Sequence, residues 1–303
     1  MRFIIAAILV SLAVATLHPV NKVIVSEIKN SGAAWTPMDP EDNPFAYMTI
    51  EEIKSMMGTN IQPMEEDNEL DHEVNVPDHF DAREQWKELV HPIRNQAKCG
   101  SCWAFGASEA LSDRLAIASK GTVNHVLSAQ SLVSCDNLNM GCNGGILRLA
   151  WFHLRFTGIP TEECFPYSSQ TGTVEKCRSS CVDGTAMHKY KTGGATSTSN
   201  VNKIKESIST EGPVETGFTV YEDFMNYKSG VYHHVSGKQL GGHAVKILGW
   251  GHDDASGLDY WLAANSWDTV WGDEGFFKIK IGDCGVNSMI FASAHVSSEE
   301  ISE

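Results

Sequence analysis

Basic residues are scarce in this chain. Lysine and arginine number 23 against 38 aspartates and glutamates in 303 residues, a formal net charge of −15. There is no basic patch and no RNA-reading motif. A surface this acidic repels phosphate backbones, so a nucleic-acid partner is not expected. Long apolar runs are also missing beyond the first residues, which argues against a membrane-spanning segment or a membrane partner. The sequence holds no Asn-x-Ser/Thr sequon, and N-glycosylation is not expected. No internal repeat or low-complexity tract interrupts it. Residues 16–75 contain no cysteine, and "EEDNELDHE" (65–73) is almost wholly acidic. Such a run reads as a solvated linker, open to proteases.

What is present begins with "MRFIIAAILVSLAVA". Arg2 precedes an apolar stretch from Phe3 to Val14, and Ala13-Val14-Ala15 forms a small-residue cleavage pattern. The stretch is too short to cross a bilayer comfortably, so residues 1–15 read as a removed secretory signal. Eight cysteines follow: Cys99, Cys102, Cys135, Cys142, Cys164, Cys177, Cys181 and Cys284. In a secreted chain they point to disulfides, either four bridges or three with two thiols left over.

The periodicity divides the rest in two. "MTIEEIKSMMG" (48–58) predicts a short helix with a Thr49–Glu52 capping box and Gly58 as its stop. From about 102 to 160 the pattern is helical. "CWAFGASEALSDRLAIAS" puts Ala107, Ala110, Leu111, Leu115 and Ala118 on one stripe, Ser128 is placed to cap "SAQSLVSC", and "GILRLAWFHLRFTG" ends at Gly158. From about 185, period-two strands dominate, as in "VETGFTVY", "HAVKILGW" and "FKIKI", with one helix in "NVNKIKESIST". The class is α+β: a helical lobe, then a β lobe, with a ligand cleft expected between them.

Cys99 and Cys102 stand three positions apart in "QAKCGSCWAFG" (96–106). From the residues alone three readings are open. A Cys-x-x-Cys redox pair normally sits in a compact βαβ unit, and the strand pattern before residue 99 is weak. A zinc site needs a second ligand pair, for which Cys135 and Cys142 are candidates. In the third reading Cys102 is a nucleophile where the helical stripe begins, and the positive helix end stabilises its thiolate. Gln96, six residues upstream, could then donate to a developing oxyanion.

The same stretch resembles the nucleophile segment of papain-like cysteine peptidases. "GGHAVKILGWG" (241–251) resembles the family's histidine segment, and "YWLAANSWDTVWGDEGFFKI" (260–279) its asparagine segment. Similarity runs over roughly residues 76–296 and is closest to the cathepsin B branch, which "FDAREQW", "CWAFGASEALSDRL" and "GPVETGFTVYEDFMNYKSGVYHHVSG" also resemble. Trp35 in the short N-terminal segment suits that branch more weakly.

The resemblance implies a papain-like two-lobed fold, with a helical left lobe, a β-barrel-like right lobe and the active-site cleft between them. It implies a cysteine endopeptidase with Cys102 as nucleophile and His243 as its base and ion-pair partner. Asn265 would orient the imidazole, Trp267 would shield that bond, and Gln96 would form the oxyanion hole with the Cys102 N–H. Gly144 and Gly145 would run beside the substrate backbone. Ile146, Gly217, Ala244 and Met289 would line the pocket for the second residue before the scissile bond. Family pattern pairs Cys99 with Cys142, Cys135 with Cys177 and Cys164 with Cys181, leaving Cys102 and Cys284, the latter as a buried thiol. His125, His188, His233, His234 and His252 lack matching flanks and read as structural or exposed.

Two departures shape the expected specificity. The occluding loop of cathepsin B, with its histidine pair, would lie between Cys164 and Cys177, where only "FPYSSQTGTVEK" stands. An open primed side, and endopeptidase rather than carboxydipeptidase activity, is therefore expected. Met289 stands where cathepsin B has an acidic residue, so hydrophobic side chains are expected in that pocket. Residues 16–75 would be an inhibitory prosegment and 76–303 the peptidase domain. Proteins and peptides are the expected substrates, the chain's own prosegment an intramolecular inhibitor, and cystatin-type proteins further inhibitors. No cofactor or metal is called for, and the working unit is expected to be a monomer. Secretory-pathway routing to lysosome-like vesicles or the exterior follows from the signal. The competing functions are a catalytically silent relative that only binds peptides and a thiol–disulfide oxidoreductase using Cys99 and Cys102.

Overall fold

The computed structural model describes residues 17–61, 75–288 and 290–293. The expectations for the secretory signal, the acidic run 65–73 and the side chain of Met289 lie outside those residues. In chain order the elements are α1 (Lys22–Asn30), β1 (Trp35–Pro37), α2 (Ile50–Ser55), β2 (Phe80–Asp81), α3 (Ala82–Gln85), α4 (Cys102–Ala118), α5 (Ala129–Cys135), α6 (Leu147–Phe156), β3 (Ala195–Thr198), α7 (Val201–Glu211), β4 (Val214–Tyr221), β5 (Tyr227–Tyr232), β6 (Gln239–Asp253), β7 (Leu258–Ala264), β8 (Phe276–Lys280) and β9 (Ile290–Ser293). The helices α4, α5 and α6 share one apolar cluster, built on Trp103, Phe105, Leu111, Leu132 and Trp151. The sheet, in strand order β1-β5-β8-β7-β6-β4-β9-β3, surrounds a second cluster with Phe218, Phe224, Trp261, Trp271 and Phe277. This is the expected α+β division.

Local chemistry explains most element ends. Thr49 and Glu52 form the capping box of α2, although the helix stops at Ser55, before Gly58. Ser128 accepts from the Ser131 amide at the start of α5. Asn21 and Asn200 cap α1 and α7 in the same way. In β4 the alternating residues Val214, Thr216, Phe218 and Val220 are all buried, and β6 pairs with it so that Gly217 faces Ala244 and Phe218 faces His243. β6 begins at Gln239, four residues before the HAVKILGW pattern, so Gly241 and Gly242 lie inside it.

The α4 stripe is a correction. Every residue from Cys102 to Ala116 is buried, while Ala118 is exposed. The helix is central, so its polar face is covered as well as its apolar one. Asp113 accepts from Lys246 Nζ on β6 at 2.6 Å and bonds His91 Nδ1 at 2.8 Å. Arg114 donates to the carbonyls of Pro213 and Gly212 and to Glu211. Buried charges persist because each has such partners.

The N-terminal segment is part of this architecture. Its β1 adds antiparallel to β5, with Trp35 opposite Gly230. Val20, Ile24, Ile28, Trp35, Phe45, Ile53 and Met56 are all buried in the sheet-side cluster. Disulfides join Cys99 to Cys142, Cys135 to Cys177 and Cys164 to Cys181. Bridges of this kind typically contribute about 2–4 kcal/mol each. Cys284 is free but only half-buried, a correction to the buried thiol expected. It follows Gly282 in a tight turn at φ +52°, and its thiol reaches Asp283 Oδ1 at 3.1 Å.

Candidate active site

Cys102 is the first residue of α4, a free thiol with no exposed surface. Its partner Cys99 in the motif is tied to Cys142, so the two motif cysteines do not pair with each other. Amides of Ala244, Gly58 and Trp103 bond the sulfur, and Thr59 Oγ1 lies 3.1 Å from it. Burial raises the thiol pKa above its ordinary value, against these bonds, so the sulfur is protonated in this state.

His243 reaches the same place from β6, one residue before Ala244. Its Nε2 donates to Asn265 Oδ1 at 2.7 Å. A carbonyl oxygen only accepts, so the ring proton sits on Nε2 and Nδ1 keeps its lone pair. That Nδ1 is buried and has no hydrogen-bond partner among the described residues, Cys102 included. Burial pushes the imidazole down to about 4, partly opposed by Asn265. The Trp267 ring lies 4.6 Å from the imidazole, 2 % exposed, and closes the far side against water.

Gln96 is held from several directions. Its Oε1 accepts from Ser266 Oγ at 2.7 Å and its amide N–H donates to the Ser266 carbonyl. This fixes the side-chain amide with Nε2 outward, where it donates to the carbonyls of Cys99 and Met56 at 2.8 and 2.9 Å.

The cleft is occupied by residues 56–61. Gly58 O accepts from Gly145 N, Asn60 N donates to Gly145 O, and Thr59 N donates to Gly242 O. The Thr59–Gly145 bridge is parallel. Two close approaches demand glycine here: a Cβ on Gly58 would stand 1.8 Å from the Gly100 carbonyl oxygen, and one on Gly145 would stand 2.5 Å from the Trp103 ring. Ile61 packs against the cluster containing Ala244 and Phe291. Gly144 turns the chain at φ +112°, Ile146 is half-buried just before α6, and Gly217 and Ala244 are paired across β4 and β6.

Thus Cys102, His243, Asn265, Trp267, Gln96, Gly145 and Ala244 converge on one cleft. Reading the sequence missed Thr59, which touches the sulfur, and Ser266, which orients Gln96. Ser266 adjoins Asn265 in the quoted asparagine segment, so position alone could have flagged it. Thr59 carried no signal, because its place depends on how a distant segment crosses the cleft. Among the described residues no group of three or more histidines, cysteines or carboxylates could hold a metal.

Residues 76–294 match the family described as papain family cysteine protease. The chain is 38% identical over 308 residues to cathepsin B-like cysteine proteinase 3 of Caenorhabditis elegans, covering 90% of this chain and 82% of that one. It is 42% identical over 236 residues to cathepsin B of Dictyostelium discoideum, covering 72% of this chain and 75% of that one. The solved structure of procathepsin B S9 from Trypanosoma congolense superposes with a TM-score of 0.82 at 30% identity, over 92% of this chain and all of that one.

Proposed function

We propose, from the premise that this chain belongs to the papain family of cysteine proteases and is cathepsin B-like, that it is the zymogen of an endopeptidase preferring hydrophobic residues at P2. Its fold is the papain-like one, mixed α+β. The observation that carries the reading is one free cysteine at the start of α4, beside the amide of Ala244 and covered by the chain's own Thr59, with His243 held by Asn265. Residues 16–75 act as the prosegment. Its backbone takes both hydrogen-bonding groups of Gly145, and its Met56 carbonyl takes the Gln96 amide.

Removal of this segment readmits water to the pair. The thiol proton passes to Nδ1, giving thiolate and imidazolium, and the N-terminus of α4 favours the anion. The thiolate adds to the scissile carbonyl carbon. Gln96 Nε2 and the Cys102 N–H receive the oxygen that becomes negative. The imidazolium protonates the departing amine, and water then hydrolyses the thioester with His243 as base.

Two features support the finer specificity. An isoleucine of the prosegment packs on the Ala244 cluster, so that region accepts an aliphatic group. The Cys164–Cys177 interval carries no histidine to dock a C-terminal carboxylate, which fits an open primed side. The test compares the full chain with a form starting near Val76. The shorter form should hydrolyse a Phe-Arg fluorogenic peptide in preference to Arg-Arg, and Cys102→Ala should abolish turnover. Equal use of Arg-Arg refutes the P2 assignment. Strong dipeptide release from free C-termini refutes the endopeptidase assignment.

A further inference from the structure

The segment between Cys164 and Cys181 contributes one side chain to the neighbourhood of the reaction. The hydroxyl of Tyr167 lies 2.9 Å from the Gln96 carbonyl oxygen and 2.9 Å from Ser101 Oγ. We propose that Tyr167 is a positioning residue of the oxyanion site, its hydroxyl tying the Gln96 backbone to the residue that precedes the nucleophile. The inference rests on the peptidase reading above.

The direction of both bonds follows from the groups themselves. The Gln96 carbonyl can only accept, so the single tyrosine proton goes there. Ser101 must then donate to the tyrosine oxygen. The chain Ser101 O–H to Tyr167 O–H to Gln96 C=O therefore has one arrangement. Burial lifts the phenol to about 12, so the proton stays in place across any working pH.

A second observation points the same way. Ser101 is the N-cap of α4, where a serine hydroxyl ordinarily accepts from an amide of the first turn. Here it makes no such bond. Its hydroxyl serves Tyr167 instead; the Ala104 amide turns to the Ser101 carbonyl at 2.8 Å, and the Cys102 and Trp103 amides are left to the oxyanion and the sulfur. Tyr167 is itself well fixed. Its ring meets Phe105 edge-on at 4.8 Å, its amide donates to Glu162 at 2.7 Å, and disulfides bracket its segment. Gln96 is thus held by Ser266 on the sheet side and Tyr167 on the helical side.

Tyr167→Phe keeps the ring and removes only the hydroxyl. In the form starting near Val76, kcat on the Phe-Arg substrate should fall about tenfold, with KM changed less than about twofold. Affinity for a peptide aldehyde should fall by the same factor, because Cys102 adds to its carbonyl carbon and its oxygen then needs the same donors. The pH profile of Cys102 alkylation by iodoacetamide should not move, since that reaction needs no oxyanion donor. Ser101→Ala should lower kcat about threefold, and the double variant should be no worse than Tyr167→Phe alone. Wild-type kcat in Tyr167→Phe, or lowered kcat with unchanged aldehyde affinity, overturns the inference. Should Tyr167→Phe fail to fold, wild-type kcat and aldehyde affinity in Ser101→Ala overturn it equally. Absence of turnover in the wild type overturns the peptidase reading and this inference with it, whereas normal wild-type turnover beside an unimpaired Tyr167→Phe overturns this inference alone.

Discussion

Glu109 should pull the stability of the folded chain down as pH rises from 4.5 to 7, against His243, whose lowered imidazole pKa pulls it up across much of the same range. The side chain projects from α4 into the contact with β4 and β6, and the residue is 4 % exposed. Its Oε1 has no partner among the described residues. Burial lifts the carboxyl from 4.5 to about 7, partly offset by Lys246 and Arg94 and reinforced by Asp113. Glu215 on β4 is also fully buried. Desolvation and the neighbouring Glu109 raise it well above the usual carboxylate range, while Trp151 Nε1 and the Ala107 amide oppose the rise. In the unfolded chain both carboxyls ionise near 4.5, while the folded state keeps its protons. At these two carboxyls the folded state therefore binds more protons between 4.5 and 7, and their contribution to stability declines with pH. For Glu109 the loss amounts to about 3 kcal/mol, at about 1.4 kcal/mol per pH unit. That is a large part of a typical 5–15 kcal/mol. Above pH 7 both states of Glu109 are ionised and its contribution levels off. Urea unfolding of the full-length Cys102→Ala chain between pH 4.5 and 8 measures this, since that chain cannot process itself. Relative to the parent, Glu109→Gln should gain about 3 kcal/mol between pH 4.5 and 7, and adding Glu215→Gln should enlarge the gain. A stability difference between the parent and Glu109→Gln that stays constant from pH 4.5 to 7 refutes the reasoning.

Three further outcomes follow from the geometry. Alkylation of Cys102 should be at least about tenfold slower in the full chain than in the form starting near Val76, because the covered thiol is both inaccessible and protonated; equal rates measured by mass spectrometry would mean that Thr59 does not cover it in solution. Gln96→Ala should lower kcat about a hundredfold with a smaller change in KM, as loss of one oxyanion donor does elsewhere; steady-state kinetics on the Phe-Arg peptide decide it. Asp113→Ala should destabilise the chain by about 3–5 kcal/mol, since it strands Lys246 without its buried partner; a loss below about 1 kcal/mol by urea unfolding would contradict that.

The sequence announced some of this well and some not at all. Ser128, the Thr49–Glu52 box and the alternation in β4 were legible because each depends on residues within one or two turns or one strand. The burial of Glu109, Asp113 and Arg114 was not. Asp113 pairs with Lys246 on β6 and Arg114 with the end of α7, far along the chain, and a helical stripe cannot show that both faces are covered. The catalytic-type set was legible through its flanks, since Cys102, His243 and Asn265 each sit in a recognisable segment. Thr59 and Tyr167 sit in no such segment, and only the tertiary path brings them to the cleft.

The pairing of Trp35–Pro37 with Tyr227–Tyr232 means that removing the N-terminal segment, as proposed above, would strip a sheet of its border. Without the segment, the outward N–H and C=O groups of the strand through Gly230 would lose their covalently linked neighbour and turn to water or to another chain. Lys228, exposed on that strand, places a charge where a second copy would dock, a common guard against edge-to-edge association.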